Sequence, residues 1–232
     1  MNIDENILLQ KMNKLFEPFS KAIEYEPNNA MRYIERGDTY MRWNIPNKAL
    51  EDYNKAIELD QYNAEFYIRR ARTYSRMQQD KRLDDYNKAA ELDPHNPAVY
   101  SNRGDAYNQA SQYENALKDF CKAIELDPSN TWAHLQCGYI YQNINRHDKA
   151  IEKFTQILNS NQELFNCANL YYDCACSYRV LEQYGQAEEA FAKAIELSDD
   201  VYKQRYRELW EEDNNDVMNE IMQIARKFPL KG

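Results

Sequence analysis

Apolar positions along this chain fall in short runs of helical period, separated by polar joints. Tyr33, Gly37 and Tyr40 stand at i, i+4 and i+7, so they share one face of a predicted helix. A small residue between two large aromatics lets a partner helix approach closely. Ala49, Tyr53 and Ala56 follow the same logic in a second helix. The two patterns then return. KAIEYEP at 21–27 is echoed by KAIELDQ at 55–61, KAAELDP at 88–94, KAIELDP at 122–128 and KAIELSD at 193–199, at spacings of 34, 33, 34 and 71 residues. The long gap holds a weaker copy, IEKFTQILNSN. Upstream of each copy from the second onward lies a companion: YIERGDTY, YIRRARTY, YSNRGDAY, HLQCGYIY and YYDCACSY. Each unit is therefore a pair of short amphipathic helices. Pro94 and Pro128 end the second helix because proline supplies no amide donor.

Self-similarity at this period is the signature of a solenoid. The slots, an aromatic, a small residue and Tyr followed by Ala, an aromatic, Ala and Pro, resemble the tetratricopeptide repeat. The resemblance covers 30–63, 64–96, 97–130, 131–167 and 168–201. It implies an all-α, right-handed superhelical solenoid of antiparallel helix pairs, with five clear repeats in one domain over 1–232. Residues 1–29 form an N-terminal degenerate half unit, and 202–232 supply degenerate or capping C-terminal helices. Some positions depart from the pattern. The second unit lacks one residue in its internal turn and carries Arg82 in the first alanine slot. The fourth has Ile157 for the last alanine, and a few extra residues around Asn159 to Cys167 precede the fifth.

Composition narrows the chemistry. Five glycines and seven prolines in 232 residues exclude a turn-rich β protein, and 43% hydrophobic residues exclude a disordered one. The net charge of −9 argues against nucleic acid and acidic membrane as partners. The sequence has no apolar run of signal-peptide or membrane-spanning length, so a soluble, cytoplasmic protein is expected. An odd count of five cysteines suits a reducing compartment, and Cys121, Cys137 and Cys174 fall in or beside packing slots. Cys174 and Cys176 point about 200° apart on a helix and cannot share a metal. His95, His134 and His147 are scattered, and the sequence has no phosphate loop, nucleophile elbow or HExxH. No catalysis, cofactor or metal is expected.

The resemblance implies a non-enzymatic interaction module, an adaptor or scaffold whose first helices line a concave groove that receives a peptide or helical segment. In the register used here, the groove takes Met31, Ile34, Glu35, Asp38 and Arg42, then Glu65, Ile68, Arg69, Arg72 and Arg76. Ser101, Asn102, Asp105 and Gln109 follow, then Trp132, Leu135, Gln136, Tyr139 and Asn143, then Asn169, Tyr172, Asp173, Cys176 and Val180. The family's two-carboxylate clamp for chaperone tails finds only Asn102 in place. Arg69, Arg72 and Arg76 form a row at i, i+3 and i+7, and like charges so spaced cost roughly 0.2–0.5 kcal/mol per pair in an isolated helix. Two readings stay open. Glu35, Asp38 and Asp105 compensate the row, or the row holds a carboxylate- or phosphate-bearing peptide, and the two are not exclusive. Trp132, Leu135, Tyr139, Tyr172 and Val180 form an aromatic floor, or some of them are inter-helix core. The candidate binding residues are Arg69, Arg72, Arg76, Asn102, Trp132, Gln136, Tyr139 and Tyr172, and the partner is acidic with a hydrophobic portion. The alternative is a self-associating assembly subunit, a homodimer through terminal helices that carry Tyr202, Tyr206, Leu209 and Trp210 near one face. That face otherwise caps the fifth repeat.

Overall fold

The computed structural model describes residues 3–74, 78–160, 167–198 and 204. Arg76, in the shortened turn of the second repeat, lies outside the described residues, as do the insertion before the fifth repeat and the C-terminal segment with Tyr202, Tyr206, Leu209 and Trp210.

The described residues form eleven helices and no strand. α1 (Ile3–Tyr25) precedes five pairs: α2 (Ala30–Arg42) with α3 (Pro46–Leu59), α4 (Ala64–Thr73) with α5 (Gln79–Leu92), α6 (Pro97–Gln109) with α7 (Tyr113–Leu126), α8 (Thr131–Asn143) with α9 (His147–Asn159), and α10 (Cys167–Val180) with α11 (Tyr184–Leu197). Two compact units result, Met1–Ala133 and His134–Gly232.

Local chemistry sets the helix ends. Asn29, Asn63 and Asn96 are N-caps whose Oδ1 accepts from the backbone N–H two residues on, at 3.0–3.1 Å. Tyr33, Tyr67 and Tyr100 each donate a hydroxyl hydrogen bond of 3.1 Å to a carbonyl six residues upstream, which ties the first helix to the loop before it. The joint inside four repeats is closed by a non-glycine residue in the left-handed region: Asn44, Ser111, Asn145 and Glu182, with φ of 56–59°. Asparagine tolerates that conformation, whereas Ser111 and Glu182 hold it at a cost.

The packing slots work as their spacing predicts. A Cβ on Gly37 would sit 2.6 Å from the Tyr53 ring and one on Gly104 would sit 3.0 Å from Phe120, while Gly138 is closed in the same way by Phe154. Ala71 and Ala175, both fully buried, occupy the corresponding slot elsewhere. Four expected groove residues belong to this core. Ile34, Ile68, Ser101 and Leu135 are buried, Leu135 at 9% exposure in a cluster with Phe154, Leu170 and Cys174. The reason is geometric: each stands three residues before the small slot and so shares its stripe. Among the cysteines, Cys137 and Cys174 are buried, but Cys121, in α7, is exposed.

A recurring ion pair is the strongest polar feature of the first unit. Arg36 grips Asp52 through two hydrogen bonds of 2.8 and 2.7 Å, Arg70 grips Asp85 at 2.8 and 2.6 Å, and Arg103 grips Asp119 at 2.7 and 2.8 Å. All three aspartates are buried. Each arginine also donates from Nη1 to the second helix of the preceding repeat, to Ser20 at 3.4 Å, Asn54 at 2.7 Å and Asn87 at 2.9 Å. One guanidinium thus joins three helices. In the second unit, Cys137 and Cys174 fill the arginine slot, and Lys153 and Ala190 stand where the aspartates were.

Breaking one such pair strands a buried charge. Asp85→Ala is expected to lower the unfolding free energy by about 3 kcal/mol or more, and the paired Arg70→Met, Asp85→Leu variant to recover most of it. Urea denaturation checks both, and equal losses would show that the pair is not the coupled element. Ser111→Gly is expected to stabilise by about 0.5–1 kcal/mol by relieving the left-handed turn, read as a rise in the urea midpoint.

Candidate functional site

The first helices bury one stripe and leave another for other uses. At the second, sixth, ninth and thirteenth positions of each repeat, wherever these are among the described residues, the side chains are exposed or half-buried, and their chemistry changes from repeat to repeat. The sixth position runs Glu35, Arg69, Asn102, Gln136, Asp173. The ninth runs Asp38, Arg72, Asp105, Tyr139, Cys176.

A contact rule orders this surface within each unit: the ninth residue of one repeat meets the sixth residue of the next. Asp38 receives a charged hydrogen bond from Arg69, and its other oxygen accepts the Tyr53 hydroxyl at 2.8 Å. Arg72 Nε donates to Asn102 Oδ1 at 3.3 Å. In the second unit, the Tyr139 hydroxyl donates to Asp173 Oδ2 at 3.2 Å. Asp105 is served from the start of α8, where the Trp132 indole N–H lies 3.2–3.3 Å from both carboxylate oxygens.

The arginine row is therefore not uniform. Arg69 contacts Asp38 and, within its own helix, Glu65 at 3.0 Å. Glu35 is engaged by Arg32 at 3.2 Å, and Asp105 is turned to Trp132. Arg72 is exposed, with the neutral amide of Asn102 at its Nε. Of the expected aromatic floor, Trp132 is 48% and Tyr139 36% exposed, and Val180 is exposed as well. The Tyr139 ring stands edge-on to Phe154 at 5.5 Å, and half-buried Tyr172 tilts against Phe191 at 6.4 Å. Gln136 is half-buried.

Asp173 had no distinguishing mark in the sequence. Burial pushes its carboxyl up to about 6, opposed only by the Tyr139 hydrogen bond. No cation pairs with it among the described residues, in contrast to Asp38, Asp52, Asp85 and Asp119. Burial likewise raises Asp105, with Trp132 and Arg82 pulling the other way. Burial pushes the Cys174 thiol up to about 12, so it is held protonated. Among the described residues no cluster of three or more His, Cys, Asp or Glu could hold a metal ion, and no helix is long and apolar enough to cross a membrane.

This frame of paired antiparallel helices, closed by small-residue slots at a 33- to 34-residue period, defines a helical repeat protein. Tetratricopeptide repeat profiles match residues 32–63 and 168–201 and residues 85–118, and a TPR repeat profile matches 104–145. The chain belongs to the tetratricopeptide repeat family. It is similar to YrrB, described as a TPR protein with an unusual peptide-binding site, at 26% identity over 82% of this chain and 97% of that one, TM-score 0.67. MamA is similar in fold at 22% identity over 74% of this chain and 92% of that one, TM-score 0.67. MamA from Desulfovibrio magneticus RS-1 is similar at 16% identity, over 73% and 94%, TM-score 0.64. Comparison with curated proteins gives no significant match.

Asp173 gives a pH test. Its raised carboxyl costs nothing below about pH 4, where folded and unfolded chains both hold the proton. As pH rises toward 6 the unfolded chain releases it first, so the contribution to stability falls and then levels off. Asp173→Asn is expected to be more stable than wild type at pH 7 by about 1–3 kcal/mol, with the difference gone near pH 4, as read by thermal melts across that range.

Proposed function

We propose that this protein is a non-enzymatic interaction module that holds a peptide or helical segment of a partner protein on the surface lined by its first helices. The observation that carries the reading is the contrast between the two stripes of those helices. The packing stripe repeats the same residues, while the outward stripe presents a different chemistry in each repeat, with Trp132 and Tyr139 exposed on it. Large exposed aromatics of this kind serve as anchors at protein interfaces.

The described candidates divide by role. In the first unit Arg72 and Asn102 offer donors to an acidic group and Trp132 offers apolar area, and in the second unit Tyr139 and Tyr172 offer apolar area of their own. Arg69, already matched to Asp38, shapes the surface more than it reads the ligand. This suits a partner with an acidic residue and a hydrophobic portion. The similarity to YrrB supports peptide binding as the use of the fold. The odd cysteine count favours a reducing compartment, the cytoplasm.

The test is panning of a random dodecapeptide library over the full chain. Enriched peptides should lose affinity by about tenfold or more on Arg72→Ala and on Trp132→Ala, two exposed positions whose substitution leaves the helices folded. No enrichment, or peptides indifferent to both changes, would overturn the reading.

A further inference from the structure

The second repeat holds a buried hydroxyl without an acceptor. In the first repeat, Tyr53 packs on Gly37 and its hydroxyl donates to Asp38, the ninth residue of the pair's first helix, at 2.8 Å. In the third, fourth and fifth repeats the same slot holds Phe120, Phe154 and Phe191, which need no acceptor. The second repeat keeps a tyrosine, Tyr86, but carries Arg72 where Asp38 stood. Tyr86 is 0% exposed, and its hydroxyl has no acceptor within hydrogen-bond reach. A lone buried hydroxyl of this kind is costly to keep.

Its surroundings are cationic. The Arg82 guanidinium lies 5.9 Å from the Tyr86 ring centroid, and its buried Nε is also unpartnered. Arg82 reaches across to the neutral amide of Gln109 at 2.8 Å, as Arg72 does to Asn102. Arg82 opposes the upward push of burial on the Tyr86 hydroxyl by its charge and as a donor toward the oxygen, and Arg72 opposes it by charge, but neither guanidinium can accept the hydroxyl proton. Asp105 bears on the same hydroxyl, but both its oxygens face the Trp132 indole. Two guanidiniums that end on amides, with a buried hydroxyl that lacks an acceptor beside Arg82, are the donor set of an oxyanion site.

We propose that Arg72, Arg82 and Tyr86 form a site for one carboxylate of an acidic side chain on the bound peptide, with the Tyr86 hydroxyl as the buried donor. The assignment rests on the peptide-binding reading above and names the chemistry selected at the second repeat. Arg82, which breaks the alanine rule of its slot, and Tyr86, which breaks the acceptor rule of its own, are then parts of one device.

The experiment titrates the full chain by fluorescence polarisation with two labelled peptide pools that differ only in carrying Glu or Gln at one fixed position. Wild type is expected to prefer the Glu pool by about tenfold or more. Tyr86→Phe and Arg82→Gln should each cut that preference severalfold, while Tyr86→Phe leaves the melting temperature unchanged or raised, because no protein acceptor is lost. Equal binding of the two pools, or a preference that survives both substitutions, overturns the carboxylate site and leaves peptide binding standing. Failure of both pools to bind overturns peptide binding and the site together. A lower melting temperature for Tyr86→Phe would show the hydroxyl engaged within the fold and overturn its role as a ligand donor.

Discussion

Within residues 1–133 the architecture depends on a guanidinium that holds three helices at once. The first helix of each pair supplies an arginine, the second helix supplies a buried aspartate, and the preceding pair supplies a hydroxyl or amide oxygen. Apolar slots alone specify that two helices approach, but they leave sliding along the axis weakly resisted. A planar fork bonded to both oxygens of a carboxylate fixes that register, and its third donor carries the register to the neighbouring repeat. Because the carboxylate is buried, the arrangement is costly to break from one side, and this makes each pair depend on the one before it.

Much of this fold was legible in the sequence. The spacing of Tyr33, Gly37 and Tyr40, and of Ala49, Tyr53 and Ala56, reports helix period, close approach and pairing all at once. The departures were legible as places without being legible as structures. Ile34, Ile68, Ser101 and Leu135 looked outward because the stripe was drawn one position too narrow, and only packing shows that the residue three before the small slot turns inward. The ion pairs were also in plain view, as an arginine before the glycine or alanine and an aspartate before the aromatic. A single helical pattern does not say that two polar residues some sixteen positions apart meet under cover of the same core.

The candidate surface was less legible, for a physical reason. Its residues were largely nameable from register, but their states depend on partners in the next repeat. Arg69 and Arg72 are three residues apart on one helix, yet the first meets a carboxylate and the second an amide. Asp105 and Asp173 are ordinary aspartates in sequence, and burial beside an aromatic donor sets them apart. The rule that the ninth residue of one repeat touches the sixth of the next turns a row of unlike side chains into a readable series.

The second unit solves the same packing problem without the fork, setting thiols where the guanidiniums would stand. Cys137 and Cys174 are sealed, and Cys174 is held protonated, while Cys121 lies open on α7. A sealed thiol reacts with an alkylating or disulfide reagent only during the moments when its helix pair comes apart. The chain therefore carries native chemical clocks in its fourth and fifth repeats. The rate at which each thiol is trapped, set against the immediate reaction of Cys121, times the breathing of one helix pair without any introduced probe.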